Sequence, residues 1–271
     1  GIGVEVNGSN RWIRVFGFSL QPSEIMKFLS ILYISTYCVR RIELVQNDLF
    51  SFIRPAVLLV SIISLILIQP DLGASAVIFA SALGVLFVAG VPIRQFIVVF
   101  LIGLLGITLL ITYVPWRWER IISFVDPWSV PFDAGYQLTL SLMSIGRGDW
   151  FGVGLGESLM KMGYLPDAHT DFIFSILIEE LGLLTGILIM GMLFGICFRV
   201  FLIGRQSLQR RNHFGFFFCF GAAILIGLHV FINVGVATGL LPTKGLTLPL
   251  FSAGGTNILI MCSMIGLILR I

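Results

Sequence analysis

The sequence predicts an all-α, polytopic transmembrane protein, and three observations support that prediction. Of the 271 residues, 57% are apolar and only 11% are charged, and the mean hydropathy is +1.02. Soluble domains hold about 25% charged residues, which help to cover their surface. Lipid must therefore cover much of this chain. The third observation is that the apolar residues gather in seven runs of roughly the length of a membrane span.

The seven runs are interpreted in chain order as membrane-spanning helices joined by more polar segments. Several are shorter than the about 20 residues that cross a bilayer, so their ends are set only to within a few residues. The predicted spans are residues 22–38, 55–69, 72–91, 95–114, 171–198, 214–238 and 256–271. We expect a single integral membrane domain over residues 1–271, and a fragment of a longer protein, because the chain begins without Met and stops inside an apolar run.

Basic residues are distributed unevenly between the two sides of the predicted membrane. One set of connections holds eight arginines against two acidic residues, whereas the other holds seven basic residues against nine acidic ones. Short cytoplasmic loops carry the excess of Lys and Arg, so the first set is predicted to be cytoplasmic. It consists of residues 39–54, 92–94 and 199–213. The second, extracytoplasmic set consists of residues 1–21, 70–71, 115–171 and 239–255.

The extracytoplasmic connection of residues 115–170 is far longer than the usual link between helices, which indicates a functional element or a small domain. It carries four of the five tryptophans, and residues 133–145 form an amphipathic stretch. Tryptophan favours the interface between membrane and water. We therefore predict that this loop lies on the outer face of the bilayer and carries helices that lie at the surface or re-enter the membrane.

Two opposite charges lie at the start of the first predicted span. Glu24 and Lys27 are three residues apart, so a helix that begins near Pro22 places both on one face. Ionisable groups within a span are costly and usually mark a site or a polar cavity. We predict that the pair lines such a cavity, and a structural ion pair at the interface is the alternative.

A second polar group precedes the fifth predicted span. Asp171 opens that span and follows Asp167 and His169. An acid at a helix start can be a simple N-cap, which is the alternative interpretation. More polar groups meet here than one cap requires, so Asp171 and His169 are predicted to belong to a site. Glu179 and Glu180 lie two turns deeper, where at least one needs a partner or a wet cavity.

Basic residues of the extracytoplasmic segments suit an anionic head group, because Arg binds phosphate through two N–H groups and Lys through a point charge. For any one of them, contact with lipid head groups is the alternative. The candidates are Arg11, Arg117, Arg120, Arg147, Lys161 and Lys244.

Several other kinds of site are not supported. The net charge of +3 forms no basic stripe, which argues against nucleic-acid binding. The four cysteines lack metal-ligand spacing, and the glycines of residues 146–156 lack the βαβ context of a dinucleotide site. No carboxylate cluster fixes a metal site, so a divalent cation, Mg²⁺ or Mn²⁺, is left open.

Polar and Gly/Pro-containing motifs recur along the chain at residues 7–13, 21–24 with Lys27, 69–73, 135–137, 152–156, 164–174, 179–180 and 241–250. In order and content these motifs resemble those of the SEDS family of polytopic membrane proteins, over the whole chain. The stretch Leu-Pro-Thr-Lys-Gly-Leu-Thr-Leu-Pro-Leu at 241–250 points to the septal, FtsW-type branch rather than the elongation, RodA-type branch. One departure is Ala253, where the family usually has Tyr.

The resemblance implies a fold of ten helices with both termini in the cytoplasm, of which this chain holds about seven. Members of the family are peptidoglycan glycosyltransferases that polymerise lipid II into β-1,4 glycan strands at the outer face of the bacterial cytoplasmic membrane. The septal branch acts in cell division, with a class B penicillin-binding protein as the transpeptidase partner and with other divisome proteins. The family's essential acid falls on Asp171, and its functional tryptophan falls on Trp12.

The mechanism implied by this resemblance is an inverting glycosyl transfer. Asp171 is the expected general base, which takes the proton from the acceptor's GlcNAc 4-hydroxyl as that oxygen attacks the anomeric carbon of the donor. A lipid II flippase and a non-catalytic divisome scaffold are the alternatives. Polar residues concentrate at the outer surface, and no inverted repeat of broken helices is visible, which favours the transferase. The expected substrate-binding residues are Trp12, Arg11, Arg117, Arg120, Lys244, Glu24, Lys27 and His169.

Overall fold

The computed structural model describes residues 3–6, 9–15, 18–47 and 49–271, and it is mainly helical there. Each predicted span overlaps a helix, so the all-α polytopic fold is confirmed. The helices are α1 Pro22–Arg40, α2 Ile42–Asn47, α3 Leu49–Ile68, α4 Leu72–Val88, α5 Ile93–Thr112, α6 Pro115–Val125, α7 Tyr136–Gly148, α8 Ile173–Gln209, α9 His213–Ala237 and α10 Gly255–Arg270.

Three helices within the described ranges are long and apolar enough to cross a membrane: α5, α8 and α9. Helices α4 and α10, and residues 53–68 of α3, form shorter apolar helices. Helix α1 has the length of a span, but it carries Glu24 and Lys27 in its first two turns. Helix α7 confirms that the long loop of residues 115–170 contains a helix, and α6 precedes it.

A small antiparallel sheet, which the sequence interpretation missed, precedes the helices. It consists of β1 Gly3–Val6, β2 Ser9–Val15 and β3 Phe18–Leu20, in the order β1-β2-β3. The signal was present in the short apolar–polar alternation on either side of an Asn-Gly pair, which favours a tight hairpin. The high overall hydropathy of the chain obscured it.

Helix α8 differs from the predicted span 171–198, because it extends to Gln209 and is interrupted at Gly182. The backbone of Gly182 has φ 83° and ψ 168°, a conformation that an L residue rarely adopts. The carbonyls of Glu179 and Glu180 accept hydrogen bonds from the N–H groups of Val153 and Gly154, at 2.9 and 3.0 Å. A segment of the long loop thus completes the backbone hydrogen bonds that the helix loses.

Beyond the interruption, the N–H groups of Leu183 and Leu184 donate to the carbonyls of Asp149 and Trp150, at 2.9 and 3.4 Å. Residues 149–154 therefore supply two carbonyl acceptors, at Asp149 and Trp150, and two N–H donors, at Val153 and Gly154, to the interrupted helix. A side chain at Gly182 would collide with the backbone of this segment, so glycine is required there for space as well as for conformation.

The chain divides into two compact units. Unit 1 consists of residues 1–103, 196–227 and 255–271, and unit 2 of residues 104–195 and 228–254. The buried core of unit 1 lies around Ile34, Val85 and Phe217. The smaller core of unit 2 lies around Phe172 and Val236. The prediction of one integral membrane domain stays a prediction.

Candidate functional site

In unit 1, Arg11 and Trp12 are adjacent residues of strand β2. The Nε of Arg11 donates to the carbonyl of Gln69 at 2.8 Å, and its Nη2 donates to the carbonyl of Pro70 at 3.1 Å. Trp12 pairs with Val4 across the sheet and is half-buried. Two nitrogens of the Arg11 fork thus bind the connection between α3 and α4, a structural use that the sequence did not indicate.

Also in unit 1, Glu24 and Lys27 form an ion pair, as their i,i+3 spacing allows, with 2.7 Å between Lys27 Nζ and Glu24 Oε1. The polar cavity expected beside this pair stays a prediction. Both side chains are buried, at 1% exposure for Lys27 and 8% for Glu24. Nearby on the same helix, the Ser23 hydroxyl donates to Asp71, whose carboxylate also caps the start of α4 through the N–H of Ala74. A buried charge without a partner of opposite sign is strongly destabilising, so Glu24 and Lys27 each depend on the other.

In unit 2, a tight turn of residues 167–171 leads to α8 and carries Asp171. The N–H groups of Thr170 and Asp171 both donate to the carbonyl of Asp167, at 3.1 and 3.0 Å. Asp171 is half-buried, whereas His169 is exposed. The backbone that carries the Asp171 carboxylate is therefore fixed by the turn.

The segment of residues 239–254, termed here the Lys244 loop, is bonded to this turn. The N–H of Ala253 donates to the carbonyl of His169 at 2.9 Å, and the Ser252 hydroxyl donates to the carbonyl of Thr170 at 2.6 Å. The bond from Ala253 uses the backbone alone, so the departure from the family's usual Tyr leaves this contact in place. The structure thus joins Asp171 and His169 to the loop that carries Lys244, itself half-buried.

Gly245 lies against the carboxylate of Asp171. A Cβ at this position would stand 2.8 Å from Oδ2 of Asp171. We expect Gly245→Ala to displace the carboxylate. If Asp171 is the general base that the resemblance implies, this substitution lowers the rate of glycan polymerisation by about tenfold or more, because small shifts of a reacting group cost large factors in rate. Gly146→Ala is the matched control, since a Cβ there meets nothing within 4 Å. Equal rates for the two variants on purified lipid II contradict this expectation.

Helix α6 holds two of the predicted head-group ligands, Arg117 and Arg120. Both guanidinium groups lie over the ring of Trp116, 5.1 and 5.2 Å from its centroid. Nη1 of Arg117 donates to the carbonyl of Leu110 at 3.1 Å, whereas its buried Nε has no hydrogen-bond partner. Burial lowers the pKa of the Arg117 guanidinium from its ordinary value. A buried donor without a partner is suited to an anionic acceptor.

Glu179 is the centre of a polar cluster that the sequence did not resolve. Its carboxylate is fully buried and accepts hydrogen bonds from Ser144 at 2.9 Å, Ser158 at 2.6 Å and the N–H of Leu159 at 3.1 Å. Arg147 completes the set with an ion pair of 2.7 Å. The sequence indicated that Glu179 or Glu180 needs a partner, but not that these partners come from α7 and the long loop.

Glu180 forms an ion pair with Lys161. Two of the six basic residues considered as head-group ligands, Arg147 and Lys161, thus have internal partners. Arg11, Arg117, Arg120 and Lys244 stay the expected ligands of the head group. No group of three or more His, Cys, Asp or Glu among the described residues could hold a metal ion, and a divalent cation stays open.

Comparison with known proteins identifies the family. A family model described as "Cell cycle protein", covering FtsW, RodA and SpoVE, matches residues 1–271. The chain belongs to this FtsW/RodA/SpoVE family. The SEDS membership expected from the motifs is therefore confirmed. The matched residues 1–271 include both compact units.

Relatives within this family include proteins named "Probable peptidoglycan glycosyltransferase FtsW". The protein of Saccharophagus degradans is 44% identical over 271 residues, which cover 100% of this chain and 70% of the relative. The protein of Halorhodospira halophila is 47% identical over 273 residues, covering 100% of this chain and 68% of the relative. These FtsW relatives agree with the septal branch that residues 241–250 indicated.

Solved structures of the FtsW/RodA/SpoVE type share the fold. One, described as "Structural coordination of polymerization and crosslinking by a peptidoglycan synthase complex", has a TM-score of 0.79 and 29% identity, and covers 99% of this chain and 74% of that one. The rod shape determining protein RodA of Thermus thermophilus has a TM-score of 0.67 and 28% identity, with 99% and 70% covered.

Proposed function

We propose that this peptidoglycan glycosyltransferase polymerises lipid II into β-1,4 glycan strands, with Asp171 as the general base, at the outer face of the bacterial cytoplasmic membrane during septal synthesis. The function class itself, an FtsW-type peptidoglycan glycosyltransferase, is confirmed by the relatives and their names. The substrate, the septal position and the roles of individual residues are the proposal.

The observation that supports the role of Asp171 most directly is the way its backbone is held. The turn of residues 167–171 and the Lys244 loop fix the backbone, and Gly245 leaves room for Oδ2. Asp171 is half-buried rather than enclosed, which suits a residue that receives a sugar hydroxyl. A base that is fixed yet accessible can receive the 4-hydroxyl proton of the acceptor GlcNAc as the new bond to the donor forms.

The departing undecaprenyl pyrophosphate needs positive charge in the transition state. Removing one such stabilising group typically costs about 10²–10³ in rate. Arg117, with its unpartnered buried Nε, and Arg120 beside it are the best supported candidates in unit 2. Lys244 belongs to the loop next to Asp171. Arg11 retains one guanidinium nitrogen beyond the two that bind Gln69 and Pro70.

The remaining predicted residues take supporting roles in this proposal. The ion pair of Glu24 and Lys27 is proposed to line a polar cavity within unit 1, because ionisable groups within a span usually mark such a cavity. Trp12 offers an apolar face to a sugar or a lipid tail. The exposed His169 lies next to the acceptor hydroxyl in the proposed site.

A class B penicillin-binding protein is the proposed partner, together with other divisome proteins. The structural neighbour from "a peptidoglycan synthase complex" supports such a partnership, since that complex combines polymerization with crosslinking. Transpeptidation by the partner would act on the strands that this chain produces.

The test is polymerisation of purified lipid II by the full-length protein with its transpeptidase partner, with products resolved by length on a gel. Long glycan chains are the expected result. Repeating the reaction with EDTA, and with Mg²⁺ or Mn²⁺ restored, determines whether a divalent cation takes part. Folded protein that makes no chains but moves lipid II across liposomes would replace the proposal with the flippase. Absence of both activities favours the scaffold.

A further inference from the structure

Asn233 lies in the apolar helix α9, and its amide side chain is buried, at 1% exposure. Its Nδ2 donates two hydrogen bonds, to the carbonyl of Asp171 at 2.8 Å and to the carbonyl of Leu246 at 2.6 Å. The opposite atom, Oδ1, is buried without a hydrogen-bond partner. A buried amide within a span is costly unless its polar atoms find partners. The two donated bonds satisfy Nδ2 and leave Oδ1 without a partner.

The two carbonyls fix the orientation of this amide. If Oδ1 and Nδ2 were exchanged, an oxygen would face two acceptors, which is unfavourable. The two N–H bonds of one planar nitrogen diverge at a fixed angle. A single side chain therefore sets the separation between Asp171 and Leu246.

That separation matters because Leu246 follows Gly245, the residue against which the Asp171 carboxylate lies. Asn233 thus binds both sides of the contact between the carboxylate and the Lys244 loop. The bonds from Ala253 and Ser252 hold the carbonyls of His169 and Thr170, so that three successive carbonyls before α8 each accept one bond.

We infer that Asn233 is a positioning residue of the glycosyltransferase, which holds the backbone of Asp171 so that its carboxylate meets the acceptor hydroxyl. Asn233 touches no reacting atom and acts only through Asp171 and Leu246. This inference rests on the proposed function, because it gives Asn233 a role only if Asp171 is the base.

The test replaces the amide by an apolar group of similar size in the full-length protein with its partner. Asn233→Leu is expected to lower kcat for lipid II polymerisation by about 10- to 100-fold while KM stays within about twofold, since a displacement of the order of 1 Å costs up to about 10² in rate. The acid limb of the pH–rate profile is expected to shift, because the carboxylate loses its fixed surroundings. A purely structural role leaves that limb in place.

Two further variants make the result specific. Thr238→Val is the matched control, because the Thr238 hydroxyl donates to Val234 at 2.8 Å, a bond local to the end of α9. Its kcat and pH profile are expected to match those of the wild type. If Asn233→Leu fails to fold, Ser252→Ala tests the same arrangement, since it removes the bond to the carbonyl of Thr170. It is expected to lower kcat without raising KM.

Asp171→Asn, assayed alongside, distinguishes the general-base role of Asp171 from the positioning role of Asn233. Loss of polymerisation by Asp171→Asn together with wild-type kcat for Asn233→Leu, or for Ser252→Ala in its place, overturns the positioning role alone. A lower kcat with an unshifted acid limb also overturns it. Wild-type polymerisation by Asp171→Asn overturns the proposed base and the positioning role together.

Discussion

Asp171→Asn is expected to abolish detectable polymerisation of lipid II. The substitution keeps the size of the side chain and leaves the backbone bonds of the turn in place, but it removes the group that accepts the proton. General base catalysis typically contributes about 10²–10⁴ in rate. The gel assay with the full-length protein and its partner is expected to show long chains for the wild type and none for the variant.

Asp167→Asn is the matched control for this prediction. Asp167 belongs to the same turn, is exposed, and uses its backbone carbonyl to bind the N–H groups of Thr170 and Asp171. Its φ of 54° is tolerated well by Asn. The control is expected to polymerise normally. Unchanged chain length and yield for Asp171→Asn would falsify the general-base assignment.

Glu179→Gln is expected to lower the free energy of unfolding by about 3 kcal/mol, the second large effect. The carboxylate accepts bonds from Ser144, Ser158 and the N–H of Leu159, and it pairs with Arg147. A Gln side chain has one acceptor oxygen, and its NH₂ group would face donors. At least one buried donor is then left without a partner.

Thermal unfolding of the detergent-solubilised protein, followed by intrinsic fluorescence, measures this effect. Glu157→Gln is the control, because Glu157 lies in the same loop but is exposed. Its melting temperature is expected to equal that of the wild type within about 1 °C. If both variants have the melting temperature of the wild type, the hydrogen bonds of Glu179 to α7 and the long loop do not stabilise the protein as expected.

The sequence predicted the features that depend on local composition. Hydropathy located the seven helices that overlap the predicted spans, and amphipathicity located α7. The i,i+3 spacing of Glu24 and Lys27 placed both charges on one helix face, where they form an ion pair. The position of Asp171 shortly before α8 was nearly apparent, since the predicted span began two residues too early, and its catalytic role stays a prediction.

Features that depend on distant segments were not predictable in the same way. The partners of Glu179 lie 20 to 35 residues away, and Asn233 lies 62 residues from Asp171. An isolated Asn in an apolar helix is a signal that could have been noticed, because burial of an amide demands partners. Its partners are backbone carbonyls, which no side-chain pattern reveals. The interruption at Gly182 is hidden for a related reason, since glycine is common in membrane helices.

The interruption of α8 constrains how this region can change in evolution. Residues 149–154 bond to Glu179 and Glu180 on one side of Gly182 and to Leu183 and Leu184 on the other. An insertion or deletion of one residue between Asp149 and Gly154 would move two acceptors and two donors out of register at once. The segment is exposed for much of its length, as loops that vary in length among homologues usually are. Here the length is fixed by the helix it completes, so change is confined to substitution of exposed side chains such as Phe151.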